Sequence, residues 1–392
     1  MNYENPPPPD PGTRVTSRGP LRALGVVVVM VGCGQSVDPE VATGPLPELS
    51  SMKVELGTQR STEPIETTNP AIRLALPTAP QPTGMAFSPD GSLLASGDGR
   101  GVVLWDLESG AARVTLKGQA LPVTGVAFRP DGSRLATLGF QFDPFASVVA
   151  LWDPADGSKQ GVAVESSRQI SSMGFLPGGE AILVGLPGEE GGGGMPGLLA
   201  LDGGSVEDLP IQLLSQVTLM DVSPDGTRAA LGAWTTINYQ DRGELVIVDL
   251  TSRAEQARPD LRIGRFNDLA YAPDGTELLA SYQDQGSNWG LRALDPESGE
   301  VLETIGSVPE EVTALAYSPD STRVAIGGPH GAVRILDRES GAVVEAPAFH
   351  DRAIEHLAFS PDGKSLASCG AERQIALWDL DALEGAPTRA AD

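Results

Sequence analysis

The sequence predicts an all-β protein made of seven similar antiparallel sheets arranged in a ring, and three observations predict it. A Pro-Asp-Gly-type turn occurs seven times, with 41 to 49 residues between successive prolines. A short apolar strand precedes each turn. A strand that ends in Asp follows it. Repeats of about 40–50 residues with hairpin chemistry in each unit are typical of propeller blades, so we expect a seven-bladed β-propeller with four strands in each blade.

The seven turns share one chemical design. Proline presets φ near −65°, Asp accepts hydrogen bonds from the backbone ahead of it, and Gly accepts a positive φ. The third and sixth turns each replace one of these residues. The turns are Pro89-Asp90-Gly91, Pro130-Asp131-Gly132, Pro177-Gly178-Gly179, Pro224-Asp225-Gly226, Pro273-Asp274-Gly275, Pro319-Asp320-Ser321 and Pro361-Asp362-Gly363.

The unit around the first turn illustrates the four strands that are predicted for each blade. Residues 84–88 and 93–96 flank the turn, residues 102–106 form a third strand that ends in Trp105-Asp106, and residues 113–116 form a fourth. In the first strand of most units, a small residue is followed by an aromatic residue at the same distance from the turn, as a repeated packing layer requires. These pairs are Ala86-Phe87, Ala127-Phe128, Ala270-Tyr271, Ala316-Tyr317 and Ala358-Phe359, and the fourth unit departs with Val222 there.

These residues resemble the WD-repeat family, in the bacterial form rich in Ser-Pro-Asp-Gly turns, over residues 71–383. Trp-Asp itself occurs at Trp105-Asp106, Trp152-Asp153 and Trp378-Asp379. The resemblance implies a structural hydrogen-bond set of His, Ser or Thr, Asp and Trp in each blade. Only the seventh unit comes near to it, with His350, Ser368, Trp378 and Asp379, and Glu372 stands where the family usually has Asp.

The two ends of the repeat region predict how the ring closes. After Asp379 the chain has no fourth strand for the last blade, and residues 384–392 are expected to form a flexible tail. An apolar segment at residues 72–76 lies before the first turn at about the same distance as the fourth strand of the first unit lies before the second turn. We therefore expect residues 72–76 to complete the last blade and to leave only short, protected edges.

Residues 1–33 have the composition of a secretory signal. Arg14, Arg18 and Arg22 precede an apolar stretch of about ten residues, which is too short to span a bilayer. Its end, Met30-Val31-Gly32-Cys33, resembles the bacterial lipoprotein box, which implies lipidation of Cys33. Residues 34–70 are rich in Ser, Thr, Glu and Pro and predict a disordered tether. The alternative is a chance apolar segment with an unmodified cysteine.

The net charge and the motif content of the sequence exclude several classes of function. The net charge of −25 disfavours nucleic acid and anionic headgroups as partners. No zinc-binding His spacing, nucleophile elbow or phosphate-binding loop is found, so we expect no cofactor, no metal and no catalytic residue. The second cysteine, Cys369, falls on a strand expected to be buried, where a thiol is inert.

The repeat is uneven between the second and third strands of units two to five, where the connections are longer. The resemblance places these connections on the top face of the ring, where peptides are usually bound. Exposed aromatic side chains anchor interfaces, and the alternative for each ring is packing onto its own blade. The longer connections hold seven candidate partner-binding residues: Phe140, Phe142, Phe145, Trp234, Tyr239, Tyr282 and Trp289.

The sequence thus favours a non-catalytic scaffold that binds a protein or peptide with its top face and is held in the bacterial cell envelope by a lipid anchor. Two alternatives remain open at this point. One is a lactonase-like propeller hydrolase in which carboxylates hold a metal in the channel, and the other is a cytoplasmic WD-repeat scaffold. The partner and the oligomeric state do not follow from the sequence.

Overall fold

A computed structural model describes residues 64, 71–77, 83–188, 193–201, 205–286, 288–305, 310–372 and 374–384. Within these ranges the chain forms 28 β-strands and one short helix, α1 (Leu380–Glu384), and the strands make seven four-stranded antiparallel sheets. The predicted seven-bladed propeller is therefore confirmed. The predicted signal, Cys33 and the tether lie outside the described residues, apart from Pro64.

Blades 1 to 3 follow the chain, each running from an inner to an outer strand. Blade 1 contains β2 (Gly84–Phe87), β3 (Leu93–Asp98), β4 (Gly101–Asp106) and β5 (Ala112–Thr115); blade 2 contains β6 (Val123–Phe128), β7 (Leu135–Phe142), β8 (Phe145–Trp152) and β9 (Lys159–Ser166); blade 3 contains β10 (Ser172–Phe175), β11 (Ala181–Pro187), β12 (Gly194–Ala200) and β13 (Val206–Asp208).

Blades 4 to 7 repeat this order. Blade 4 contains β14 (Leu219–Val222), β15 (Arg228–Ile237), β16 (Gln240–Asp249) and β17 (Ala254–Ala257); blade 5 contains β18 (Ile263–Tyr271), β19 (Leu278–Asp284), β20 (Trp289–Leu294) and β21 (Val301–Ile305); blade 6 contains β22 (Ala314–Tyr317), β23 (Arg323–Gly327), β24 (Val333–Asp337) and β25 (Val343–Glu345); blade 7 contains β26 (Ile354–Phe359), β27 (Ser365–Gly370), β28 (Gln374–Asp379) and β1 (Ile72–Pro77).

The ring closes as the sequence predicts. β1 pairs antiparallel with β28, so that Ile72 lies opposite Trp378 and Pro77 lies opposite Gln374. The backbone N–H of Asp379 also donates to the carbonyl oxygen of Ala71 at 2.9 Å. The first strand of the chain is thus the outer strand of the last blade.

The core consists of apolar layers between neighbouring blades. One layer joins blade 7 to blade 1, where Cys369 and Leu377 pack with Leu94 and Trp105, all of them buried. Both faces of each blade are covered in this way, which explains why the middle strands are apolar without alternation. Burial raises the pKa of the Cys369 thiol well above its ordinary value, so this thiol is neutral and inert.

The Pro-Asp-Gly turns fix the lower face of the ring. In the first turn, Asp90 Oδ1 accepts hydrogen bonds from Ser88 Oγ at 2.6 Å and from the backbone N–H of Ser92 at 3.0 Å, and Gly91 has φ of 72°. These hydrogen bonds lower the pKa of Asp90. Ser321 takes the place of Gly in the sixth turn and adopts the same left-handed conformation, with φ of 62°.

Candidate interaction surface

The top face of the ring carries the turns between the second and third strands of each blade. In blades 2 and 4 these turns end long hairpins, because β7 and β8 have eight residues each and β15 and β16 have ten each. The longer connections were expected to be loops. In these two blades most of the extra residues instead continue the strand ladder, and they include the β-branched residues Val148, Thr235 and Thr236, which favour strands.

The blade 2 hairpin ends in a group of three phenylalanines. Phe145 stacks on Phe140 with ring centroids 6.0 Å apart, and Phe142 meets Phe145 edge-on at 6.5 Å. Phe142 is 69% exposed, Phe145 is also exposed and Phe140 is half-buried. Leu121, in the neighbouring connection, is exposed as well. An apolar knob of this kind on a rigid hairpin is the type of surface that anchors an interface.

The blade 4 hairpin carries its aromatic residue at the turn itself. Asn238 and Tyr239 both have positive φ, 52° and 62°, as a two-residue turn between long strands requires. Tyr239 is fully exposed, and Ile237 beside it is exposed too. Glycine is the usual choice at such a φ, because a side chain there costs about 1–2 kcal/mol.

Trp234 and Trp289 lie lower on the same face and are half-buried. The guanidinium of Arg265 lies between them, 5.5 Å from the centroid of each ring. Arg265 Nη2 also contacts Glu311 Oε1 at 3.2 Å. The two tryptophans therefore hold a cation of their own chain, and each presents only part of its ring to solvent.

Tyr282 departs from the expectation of an exposed ring. It is a buried residue of the core between blades 4 and 5. The guanidinium carbon of Arg292 lies 4.4 Å from its ring centroid, and Arg292 Nη1 donates to the carbonyl oxygen of Leu261 at 2.9 Å. The ring packs on its own blade because Gly290, on the paired strand β20, leaves room for it. Tyr282 is consequently a core contact and no surface anchor.

The acidic groups of this face differ in how they are held. Asp241 Oδ1 accepts a hydrogen bond from Thr236 Oγ1 at 2.7 Å at the blade 4 hairpin. Asp284 accepts four hydrogen bonds inside its own turn, from Gly286 and Asn288, and these lower its pKa. Asp143, between Phe142 and Phe145, is exposed. The exposed rings thus have carboxylates beside them.

The structural set of blade 7 is assembled as the resemblance implies. Ser368 Oγ lies 2.6 Å from His350 Nε2 and accepts a hydrogen bond from Trp378 Nε1 at 2.7 Å. His350 Nδ1 contacts Glu372 Oε1. In a neutral ring whose Nδ1–H donates to the carboxylate of Glu372, Nε2 is the acceptor and Ser368 donates to it. Blades 1 and 2 contain the equivalent Trp bond, from Trp105 to Ser96 and from Trp152 to Thr137, both at 2.9 Å.

Ser368, His350 and Glu372 follow the hydrogen-bond order of a Ser-His-acid triad, but the site offers no access. Ser368 is fully buried, and the Trp378 indole already occupies one of its lone pairs. A nucleophile must reach a reacting carbon, which this hydroxyl cannot do without unfolding the blade. The cluster therefore positions strands and performs no chemistry.

Two inner-strand carboxylates were missed by the sequence reasoning. Asp221 Oδ2 accepts the backbone N–H of Tyr271 at 2.7 Å, and Asp268 Oδ2 accepts that of Leu315 at 2.7 Å. Each thus joins its blade to the next. Burial raises the pKa of Asp221 to about 6 and that of Asp268 to about 7. The register places Asp221 opposite Ala230 and Val222 opposite Ala229, so Asp221 occupies the small-residue position of blade 4 and Val222 occupies the aromatic position, where the sequence reads as a departure.

Among the described residues, no group of three or more His, Cys, Asp or Glu side chains is arranged to hold a metal ion. No helix within the described ranges has the length and apolar character needed to cross a bilayer.

Comparisons with known proteins agree with this architecture. The family model "WD domain, G-beta repeat" matches residues 77–106 and 348–379, which contain blade 1 up to Asp106 and blade 7 from Phe349 to Asp379. No curated protein matches the chain. The β-propeller domain of Cps50 (Swd1) from Myceliophteria thermophila is similar in structure, with a TM-score of 0.63 and 22% identity over 79% of this chain and 98% of that chain. At this identity the likeness shows the fold alone, which is a β-propeller.

Proposed function

We propose that this protein is a non-catalytic scaffold that binds a protein or peptide with its top face, through the raised hairpins of blades 2 and 4. The observation that carries the proposal is the exposure of Phe142 and Tyr239 at the tips of these hairpins. Each ring projects from a rigid ladder of paired strands, and rigid aromatic anchors cost little conformational entropy on binding.

The conformation of Tyr239 supports the same conclusion. A tyrosine with φ of 62° is less favourable than the glycine or asparagine that such turns usually carry. Its ring makes no stacking contact with another described aromatic side chain, so it contributes little to the fold. A residue that costs stability and adds no packing is best explained by a role at the surface.

The chemistry of the surface favours a basic or neutral partner. Asp143 lies between Phe142 and Phe145, and Asp241 lies beside the blade 4 turn. The whole chain carries a net charge of −25, which slows the approach of other acidic proteins. A segment with apolar side chains flanked by Lys or Arg fits both features.

We further propose that the scaffold is held at a membrane outside the cytoplasm by lipid on Cys33. The support is the sequence alone: three arginines, an apolar stretch and Gly32-Cys33 in succession. A tether of residues 34–70 would reach about 30–35 Å as a flexible chain, which lets the top face turn toward a partner. Labelling with a fatty-acid analogue tests this, since Cys33→Ala should abolish the label; an unlabelled wild type would favour a cytoplasmic scaffold.

The central experiment is crosslinking in the native cell with the full chain and two matched variants. Phe142→Ala with Tyr239→Ala removes the two tips, and Leu302→Ala removes an exposed apolar side chain on an outer strand far from the top face. A crosslinked protein that is captured by wild type and by Leu302→Ala, and lost with the tip variant, supports the proposal. Equal capture by wild type and both variants would contradict the proposal.

A further inference from the structure

The outer wall of the ring has a groove between blades 2 and 3. It has a volume of about 600 Å³ and runs along β9. One wall is the upper half of β9 with the residues that follow it, and the other is the start of β13. The lining residues are Val162, Ala163, Val164, Glu165, Ser166, Ser167, Arg168, Ser205 and Val206.

β9 is an unusual outer strand. It has eight residues, whereas the outer strands of the other six blades have three to six within the described ranges. It pairs with β8 on one side only, so the other edge offers backbone N–H and C=O groups. Its neighbour β13 has three residues, which leaves that edge uncovered.

The two halves of β9 differ. The pairing with β8 shifts register on both sides of the Gly161–Val162 pair, and such bulges protect the lower half against edge-to-edge association. Val164, Glu165 and Ser166 then pair regularly with Val149, Val148 and Ser147. The regular half lines the groove together with Val162 and Ala163, which lie at the register shift.

The two charged residues of the groove differ in whether they have an ion-pair partner. Arg168 is fully engaged: its Nη1 lies 2.7 Å from both carboxylate oxygens of Asp208, and its Nη2 donates to the carbonyl oxygen of Pro187 at 3.2 Å. Glu165 is exposed and makes no ion pair with a described residue. The groove therefore presents one uncompensated negative charge beside the apolar Val162 and Val206.

We propose that this groove binds an extended segment of another protein, which adds as a strand to the upper edge of β9. The segment carries an aliphatic side chain that fits between Val162 and Val206 and a Lys or Arg that faces Glu165. Main-chain hydrogen bonds supply the affinity and the two side chains supply the specificity, as in other strand additions. This site lies on the outer strand of blade 2 and uses none of the exposed rings of the top face.

The test uses a fluorescent peptide of alternating valine and lysine, seven residues long and blocked at both ends, with the full-length protein. Fluorescence anisotropy measures its binding to wild type, to Val162→Lys and to Val343→Lys. Val343 is a matched control because it is also an exposed valine on an outer strand, 44% exposed against 41% for Val162, but on the three-residue β25. A second peptide of the same sequence is N-methylated at every residue, so that it keeps its charge and has no backbone N–H with which to pair as a strand.

We expect saturable binding that Val162→Lys weakens at least tenfold, Glu165→Gln weakens about threefold and Val343→Lys changes less than twofold. We also expect hydrogen-exchange protection of residues 162–166 by the peptide. Equal binding of the N-methylated peptide, or equal losses in Val162→Lys and Val343→Lys, would show diffuse attraction to an acidic surface and overturn the proposal. A wild-type dimer that Val162→Lys dissociates would assign the edge to a second copy and would overturn it too, as would the absence of saturable binding at millimolar peptide.

Discussion

The carboxylate of Asp221 accepts a hydrogen bond from the backbone N–H of Tyr271 at 2.7 Å, across the joint between blades 4 and 5. Its other oxygen accepts the N–H of Val222 at 2.9 Å. Asp268 repeats the arrangement one blade further, with Leu315 and Leu269. The inner strand of a blade has no partner strand on the channel side, so two of its N–H groups use a carboxylate as acceptor. The cost is the partial desolvation of two carboxylates, which raises their pKa.

We predict that these two carboxylates make the ring less stable as pH rises. Their folded pKa values, about 6 and about 7, lie above the value of about 4 for an unfolded aspartate. The unfolded chain therefore loses its protons first, and the free energy of unfolding falls between pH 4 and pH 7 and then levels off. The loss should be on the order of 3 kcal/mol for Asp221 and on the order of 4 kcal/mol for Asp268 at pH 8.

Urea unfolding of Asp221→Asn with Asp268→Asn at pH 5 and pH 8 checks this, since the double variant should lose most of that pH difference. Asp225→Asn is the control from the same blade. Hydrogen bonds from Ser223 and Thr227 lower the pKa of Asp225 to about 2, so its contribution is constant above pH 5. If the free energy of unfolding of the double variant still differs between pH 5 and pH 8 as much as that of wild type, the two carboxylates are not its cause.

Ser368→Ala should cost more stability than Ser96→Ala, although both serines are fully buried. Ser368 serves two partners, His350 and Trp378, whereas only Trp105 donates to Ser96. Each buried polar group left without a partner costs about 1–3 kcal/mol. We expect about 2–4 kcal/mol for Ser368→Ala and about 1–2 kcal/mol for Ser96→Ala, measured by chemical denaturation at pH 7. Equal losses would mean that His350 adds nothing to the blade.

The aromatic residues of the top face should divide into two classes. Phe142→Ala and Tyr239→Ala remove exposed rings and should shift the unfolding free energy by less than about 0.5 kcal/mol. Trp234→Ala and Trp289→Ala each break the contact with Arg265 and should cost about 1–2 kcal/mol. Thermal unfolding of the four single variants measures this. A large loss in Phe142→Ala or Tyr239→Ala would show that these rings stabilise the fold and are no free anchors.

Leu76→Ala tests the closure of the ring. Leu76 is fully buried on β1, in the layer between blades 7 and 1, so its truncation should cost about 2–4 kcal/mol. Leu302→Ala is the control, because Leu302 also lies on an outer strand but is 57% exposed, and it should change stability by less than about 0.5 kcal/mol. Denaturant midpoints compare the two. Indistinguishable midpoints would argue that β1 is not part of the core.

Much of the fold could be predicted from the sequence because each turn carries its own chemistry. Pro, Asp and Gly fix the conformation within three residues, so the seven turns could be located without knowledge of distant contacts. The closing role of β1 could also be predicted, because the sequence after Asp379 contains no outer strand for the seventh blade. His350 and Ser368 could be matched because the resemblance supplied their roles.

The candidate surface was predicted less well, for a physical reason. Whether a ring is exposed depends on the strand opposite it: Tyr282 is buried because Gly290 makes room, and Phe142 is exposed because it pairs with Phe145 at the tip of a hairpin. A count of residues between strands does not distinguish a longer loop from a longer hairpin. The role of Asp221 and Asp268 depends on unpaired N–H groups of another blade, which no local pattern reveals.

Closure by β1 also governs the order in which the molecule can be made. A ribosome releases Ile72 about 300 residues before Trp378, so the seventh sheet has to wait until almost all of the polypeptide has been synthesised. Bringing such distant ends together costs roughly 5 kcal/mol of chain entropy, and that cost falls on the final event of assembly. Until then the growing chain keeps an open seam at its first and last sheets, and a truncation that removes β1 or β28 would leave that seam permanently open.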